Sequence, residues 1–400
     1  MKIADEIYHI GISNNNLELF ESQYALQNGM SYNSYVIKDE KNVILDTIDE
    51  GVTNEWEDKL QEILGAEEVD YLIVSHMEPD HAYNIGKLAE KYPNMKIVGN
   101  QFTFNILTNF FKISNLEERK IVVKEGDTLD IGKHKLQFFM APMVHWPEVM
   151  ITYELTEKML FTADAFGKFG SLDIEDDWGT EARRYYFGIV GKYGAQVQAL
   201  LNKLGGVEVN TICPLHGPVL KENLAYYLDK YKTWSAYLPE EEGVYIACAS
   251  IYGNSLRAAR EMEKRLKDKG VNVVLDDLTT TEWSEAVANA FRYSRVLLVA
   301  SSYNAGVFPP MRRLLDNLKE RNYQNRKVGI MENGSWAPSA GKTMRDKLAE
   351  MKDIEVLEPM VTIKSVLKDE NMGDMEKLAE QLAKWSLNIL LHLMLQKCKN

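Results

Sequence analysis

The chain has 400 residues, 45% of them apolar and 26% charged, a composition that suits a globular protein with two cores rather than one. Its formal net charge of -13 works against broad contact with nucleic acid, whose phosphates it would repel. No low-complexity tract or repeat of fixed period is visible.

The N-terminus, MKIADEIYHI, is acidic within its first six residues and has no apolar h-region, so no signal peptide is expected. Cys213, Cys248 and Cys398 lack CxxC spacing and cannot all pair with one another, which fits a reducing cytoplasm. From there to about residue 235, short β-rich runs alternate with turns: SYVIKDEKNVILDT, VDYLIVS, MKIVGN, KIVVKEG, KLQFFMAP and MLFTADAF. Several are separated by only a few polar residues, as hairpins are, with helical periods between. This predicts an α+β fold with two sheets rather than a βαβ array.

The polar clusters of this region follow apolar runs. VDYLIV leads into Ser75, His76, Glu78, Asp80 and His81; KLQFFMAPMV into His145; KMLFTA into Asp164; VEVNTICPL into His216. Strand ends of this kind place side chains around a common pocket, and they account for four of the seven histidines. His9, His134 and His392 read instead as surface or satisfied core residues. In an extended loop, positions 76, 78 and 80 point the same way, and Pro79 biases Glu78 away from helix. His76 and Glu78 then face one metal while Asp80 and His81 turn toward a second. Asp164 has a carboxylate able to bridge them, and His145 and His216 complete one shell each.

TWSAYLPEEEG, Thr233 to Gly243, reads as a linker, which divides the chain into residues 1–240 and 241–400. Beyond it, VYIACAS, VNVVLDD, RVLLVASS, KVGIMENG and IEVLEPMVTI alternate with helical stretches: Leu256 to Lys269, one around Trp283, one after Pro310, one from Lys342 and a long C-terminal helix. Five strands alternating with five helices predict a doubly wound, five-stranded parallel sheet, which binds ligands at the carboxyl ends of its strands. The first such end carries Ser250, Ile251, Tyr252, Gly253, Asn254 and Ser255 at a helix N-terminus, where hydroxyls and backbone N–H groups cradle a phosphate. It is neither a Walker A loop nor GxGxxG. The next two carry Ser302, Tyr303, Asn304, Ala305, Gly306 and Val307, then Gly334, Ser335, Trp336 and Ala337. The apolar tail segment WSLNILLHLMLQ is too short and too interrupted to span a bilayer.

The order His-x-Glu-x-Asp-His followed by distant His, Asp and His resembles the metallo-β-lactamase fold, an αββα sandwich. Its hydrolases more often show a second histidine where Glu78 stands, and they bind zinc. A carboxylate there makes the site harder and more anionic, favouring iron or manganese. The three loops from Gly243 onward resemble those of flavodoxin, where they hold the phosphate and both sides of the isoalloxazine of FMN. The two halves in tandem, with NGMSYNSYVI and RRYYFGIVGKYGAQVQ, resemble the flavodiiron proteins over nearly the whole chain.

That resemblance implies an FMN and two irons held by His76, Glu78, Asp80, His81, His145, Asp164 and His216. It also implies reduction of O2 to water, or of NO to N2O, in the cytoplasm. Metal-bound water or Tyr193 is the candidate proton source. Rubredoxin, another flavoprotein or a reduced deazaflavin would supply electrons, and a head-to-tail homodimer, or a dimer of such dimers, would set one subunit's FMN beside the other's irons. The chain ends after the flavodoxin-like part, as in the two-domain form of the family. The rival readings are a zinc hydrolase with an accessory flavodoxin domain, which Glu78 argues against, and an electron carrier with a vestigial iron site.

Overall fold

A computed structural model describes residues 1–384, which form two units, Met1–Lys232 and the described residues from Thr233 onward. His392, Cys398 and the apolar tail segment lie outside the described residues.

The first unit contains two mixed sheets. Seven strands make one, in the order Lys2–Ala4, Ile7–His9, Tyr35–Ile37, Val43–Leu45, Tyr71–Ile73, Lys96–Gly99 and Lys120–Val122. It is antiparallel as far as Val43–Leu45 and parallel beyond. Thr128–Asp130, Lys135–Met140, Met150–Glu154, Met159–Phe161 and Thr211–Cys213 make the other, antiparallel except for its last pair. Their inner faces share one core, in which Tyr35, Leu45, Ile73 and Val98 of the first sheet meet Phe138, Met150, Phe161 and Cys213 of the second. Burial of such aliphatic and aromatic side chains is worth about 1.5–3 kcal/mol each, enough to hold the strand ends in register. Helix Thr53–Leu64 buries Trp56, Leu60 and Leu64, one residue per turn on a single face. Helix Gln101–Phe110 is fixed at its start by Asn100, whose side chain accepts from the N–H groups of Phe102 and Thr103.

In the second unit the sheet is parallel, ordered second, first, third, fourth and fifth: Val273–Asp277, Glu241–Ala249, Tyr293–Tyr303, Arg326–Asn333, then Ile354–Val356. IEVLEPMVTI, one run in sequence, is two short strands here, because Pro359 has no N–H to give the ladder. Both pieces, Ile354–Val356 and Val361–Ile363, pair with Arg326–Asn333. The chain direction reverses sides between the first and third strands, the position where doubly wound sheets open a crevice. The expected linker is short: helix Leu224–Ser235 runs into it and strand Glu241–Ala249 begins in it. Among the described residues no helix is long and apolar enough to cross a membrane.

Candidate functional site

His76, Glu78, Asp80 and His81 follow strand Tyr71–Ile73, but not as an extended loop. Glu78 is extended, and a single helical turn, Pro79–Ala82, begins immediately after it with proline at its first position. That turn, rather than strand-like alternation, swings Asp80 and His81 away from His76 and Glu78. His145, Asp164 and His216 each lie a few residues past a strand of the second sheet.

All seven side chains converge in two adjoining clusters, His76–Glu78–His145–Asp164 and Asp80–His81–His216. In the first, Glu78 Oε2 lies 3.2 Å from His76 Nε2 and 3.0 Å from His145 Nε2. In the second, Asp80 Oδ2 lies 3.3 Å from both His81 Nε2 and His216 Nε2. Asp164 faces both: Oδ2 is 2.9 Å from His145 Nε2, and Oδ1 is 3.1 Å from His81 Nε2. Both oxygens of Asp80 and Oδ1 of Asp164 are buried with no hydrogen-bond partner. Paired Nε2 atoms stand 3.3 Å apart at His76–His145 and 3.0 Å apart at His81–His216. Orphaned carboxylate oxygens and facing imidazole nitrogens are costly alone. They are what two cations would take as ligands, and the mixed N/O donor set suits non-haem iron.

Residues that sequence reasoning missed orient these donors. His76 Nδ1 donates to Glu148 Oε1 at 2.8 Å, an oxygen that also accepts from Met77 N at 2.9 Å, and His216 Nδ1 donates to Ser31 O at 2.7 Å. Each bond commits the proton of the neutral ring to Nδ1, so Nε2 is the nitrogen left to bind a cation. Asp46, buried and pushed up to about 6 by that burial, accepts from the N–H of Ser75 at 2.6 Å. Glu148 carries a sequence signal, lying three residues past His145 in HWPE; Ser31 acts through its carbonyl and carries none.

Tyr193 sits half-buried before helix Gly194–Leu204, with Lys192 Nζ 5.9 Å from its ring, and the structure does not bring it to either cluster. The tyrosine that reaches the site is Tyr185, fully buried with its ring 5.5 Å from that of His216. Its hydroxyl has no hydrogen-bond partner, and burial followed by the charges of Asp164, Asp80 and Glu78 holds it protonated.

Burial opposes charge on the imidazoles, but the carboxylates prevail: His76 and His81 are raised, and Asp164 and Glu78 raise His145 to about 9. Against the same burial, the imidazoles hold Asp164 and Glu78 below the usual carboxylate range. The metal-free site is therefore protonated at neutral pH. Because the folded-state pKa of His145 is raised above 6.5, its stabilisation of the metal-free fold is complete below pH 6.5 and fades as pH rises through about 9. A cation needs those nitrogens bare, so loading expels protons and tightens as pH rises. Adding Zn2+ to metal-free protein in dilute buffer at pH 7 should acidify it, as read by an indicator dye; no acidification would contradict this account.

The second unit holds a cavity of about 610 Å³ at the ends of its strands. Of the positions expected from sequence, Ser250, Ile251, Tyr252, Asn254 and Ser255 line its first side, Ser302, Tyr303, Asn304 and Ala305 its second, and Gly334, Ser335, Trp336 and Ala337 its third. Gly253, Gly306 and Val307 are not on the wall. Gly253 caps helix Asn254–Asp268 with φ +83°, and Gly306–Val307 folds back as a strand against Ser302 and Tyr303. Ser301, Asn333, Pro338, Ser339 and Ser365 complete the wall; Ser365 follows the split fifth strand, whose end the sequence did not mark as a loop of the site. Ser250 Oγ is buried without a partner beside the start of helix Asn254–Asp268, an arrangement ready for an anion. Trp336 and Tyr252 are 92% and 88% exposed, an unusual cost for large aromatics unless a flat partner covers them. A side chain at position 334 would place its Cβ 2.8 Å from Pro338 Cα, so the third loop closes only with glycine there.

Residues 30–217 match the family model described as ODP family beta lactamase. The chain is 27% identical to the nitric oxide reductase of Moorella thermoacetica over 95% of its own length and 97% of that protein. It is 28% identical to the putative diflavin flavoprotein A 1 of a Nostoc species over 90% of its own length, and it spans 63% of that flavoprotein. Among solved structures, a variant flavo di-iron protein of Thermotoga maritima matches with a TM-score of 0.86 at 26% identity, covering 96% of this chain and 97% of that one. Rubredoxin oxygen:oxidoreductase of Desulfovibrio gigas shares the fold, with a TM-score of 0.89 at 24% identity and coverage of 96% and 97%.

Proposed function

The chain belongs to the flavodiiron protein family, and from that premise we propose that it reduces NO to N2O and O2 to water at a non-haem diiron site fed by FMN. The observation that carries this reading is Asp164, whose two oxygens face two separate histidine–carboxylate clusters. His76, Glu78 and His145 would hold one iron, Asp80, His81 and His216 the other, and Asp164 would bridge them. When bound, two ferrous ions supply two electrons and reduced FMN two more, which meets the four that O2 needs and exceeds the two that couple two NO molecules.

The chain's own residues do the rest. The paired clusters hold both reacting atoms in one pocket, which removes the entropy cost of bringing them together. Glu148 and Ser31 hold His76 and His216 in the tautomer that presents Nε2. Tyr185 keeps a phenolic proton beside the site with no competing acceptor. Replacing Tyr185 by Phe should therefore change stability by less than about 1 kcal/mol, since no hydrogen bond is lost, while slowing turnover about tenfold or more. Denaturant unfolding and NO consumption read the two effects separately, and unchanged turnover would remove Tyr185 from the proton path.

The flavodoxin-like second unit would seat the FMN phosphate in the loop Ser250 to Ser255 and the ring between Tyr303 and Trp336. Ser250's unpartnered hydroxyl and the exposed indole support this. A protein donor such as rubredoxin or another flavoprotein, or a reduced deazaflavin, would deliver the electrons. Copies would pair head to tail in a homodimer, a closed arrangement of the commonest kind. The test is anaerobic reduction of the purified protein followed by parallel O2 and NO consumption, with iron and flavin measured on the same sample. Zinc in place of iron, or no flavin absorbance, would sink the reading.

A further inference from the structure

The dinuclear site has one open side. The side chains of His76 and His81 are fully buried, and those of His216 and Asp164 are 1% and 2% exposed. Those of Glu78, Asp80 and His145 are 16%, 11% and 9% exposed. A hairpin packs against the site: Leu19–Phe20 pairs antiparallel with Tyr24–Ala25, and its tip residues Glu21 and Ser22 are both left-handed, with φ +46° and +55°. Left-handed non-glycine residues cost about 1 kcal/mol or more each, so something must hold the tip. Its seat is apolar. Phe20 is buried edge-on against the His216 ring at 5.5 Å, and buried Tyr24 packs on Phe169 at 5.4 Å and donates to Gly188 O at 2.8 Å.

Glu21 itself is exposed, and its carboxylate accepts from Gln23 Nε2 at 2.9 Å. It stands within the fields of Glu78, His145 and Asp80, the three residues of the open side. In the metal-free protein, the protein atoms crowding its carboxyl and then the Glu78 charge push it up to about 7, with His145 pulling it down and Asp80 raising it further. Bound cations act in the opposite sense and favour its charged form.

We propose that Glu21 is a specificity-determining residue: its carboxylate at the mouth of the site offsets the positive charge of the loaded centre, so that anions are held off while neutral diatomic molecules enter. This rests on the diiron reading. The carboxylates of Glu78, Asp80 and Asp164 leave one uncompensated positive charge against two divalent cations, and more when the metals are oxidised. Without Glu21 the mouth would attract small anions. With it, the field there is close to neutral in the reduced state and less positive in the oxidised one, and O2 and NO, which carry no charge, are unaffected.

Azide is the probe, titrated by visible absorption into the oxidised, iron-loaded protein. Glu21→Gln and Glu21→Ala should each bind azide about fivefold more tightly than the parent at low ionic strength, and the gap should narrow in about 0.5 M salt as screening takes over. Glu21→Asp, which keeps the charge, should stay within about twofold of the parent. A purely structural role for Glu21 would leave the Gln variant like the parent, with no salt dependence of the difference. The inference is overturned if the parent holds two irons and binds azide but the Gln variant binds it no more tightly. If the parent holds no iron, the diiron reading falls, and this inference with it.

Discussion

Replacing Asp164 by alanine is expected to lower iron content from two per chain to fewer than one, and turnover of O2 and NO by about a thousandfold or more. Asp164 is 1% exposed, and its oxygens lie 2.9 Å from His145 Nε2 and 3.1 Å from His81 Nε2. No other side chain of the site addresses both clusters, so truncation removes a ligand from each metal at once. It also strips three crowded imidazoles of a counter-charge, the strongest one facing His76 and His145. The metal-free variant should lose about 3 kcal/mol or more of stability around neutral pH, with less loss at high pH, where the imidazoles shed their protons. Asp164→Asn sharpens the result. An amide offers one acceptor oxygen and one donor nitrogen, so it can serve one cluster, and about one metal per chain should remain. Flavin content should stay at the parent level in both variants, because the cavity of the second unit contains neither cluster. Metal analysis and flavin absorbance on the same samples decide the matter. Two irons retained in the alanine variant would refute the bridging role.

Glu148→Ala should have the second largest effect. Glu148 is fully buried, and its Oε1 accepts from both His76 Nδ1 at 2.8 Å and Met77 N at 2.9 Å. Alanine leaves both donors unsatisfied in the interior. The expected cost is about 2–4 kcal/mol of stability together with about a 10–100-fold loss of metal affinity, since His76 is then free to turn or change tautomer. Glu148→Gln keeps an oxygen at that position and loses only the charge. Its stability should lie close to the parent and its metal affinity between those of the parent and the alanine variant. Competition against a chelator of known affinity measures the second quantity and urea unfolding the first. Equal metal affinity in all three proteins would show that His76 does not depend on Glu148.

The charge and spacing of the first unit made much of the metal site legible. Apolar runs of strand length end at His76, His145, Asp164 and His216, and a sheet delivers such ends to one edge because pairing aligns the strands. The alternation of the second unit was equally readable, since a buried parallel strand is a continuous apolar run and a covering helix is an amphipathic one. Helix Asn254–Asp268 shows why: Ala258, Ala259, Met262 and Leu266 fall on one face whatever surrounds them.

Other features answered only to packing. IEVLEPMVTI reads as one strand, but the proline between its halves makes two, both paired to the same neighbour. The turn at Pro79 is helical, which separates Asp80 from Glu78 as strand alternation would not. Tyr185 and Tyr193 are both aromatic residues of the same stretch, and local sequence does not say which one a winding helix turns toward His216. Ser31 meets His216 through a backbone carbonyl 185 positions away, and any residue has a carbonyl. Glu21 comes near the site because its neighbour Phe20 is buried against the His216 ring, a contact between segments far apart in the chain. The sequence by itself determined which atoms are able to bind metal and where each strand releases them, because composition and periodicity are local properties. The tertiary structure alone decided which donors cluster together, which tyrosine keeps its proton beside them and which hairpin lies against them, because those depend on contacts between segments far apart in the chain.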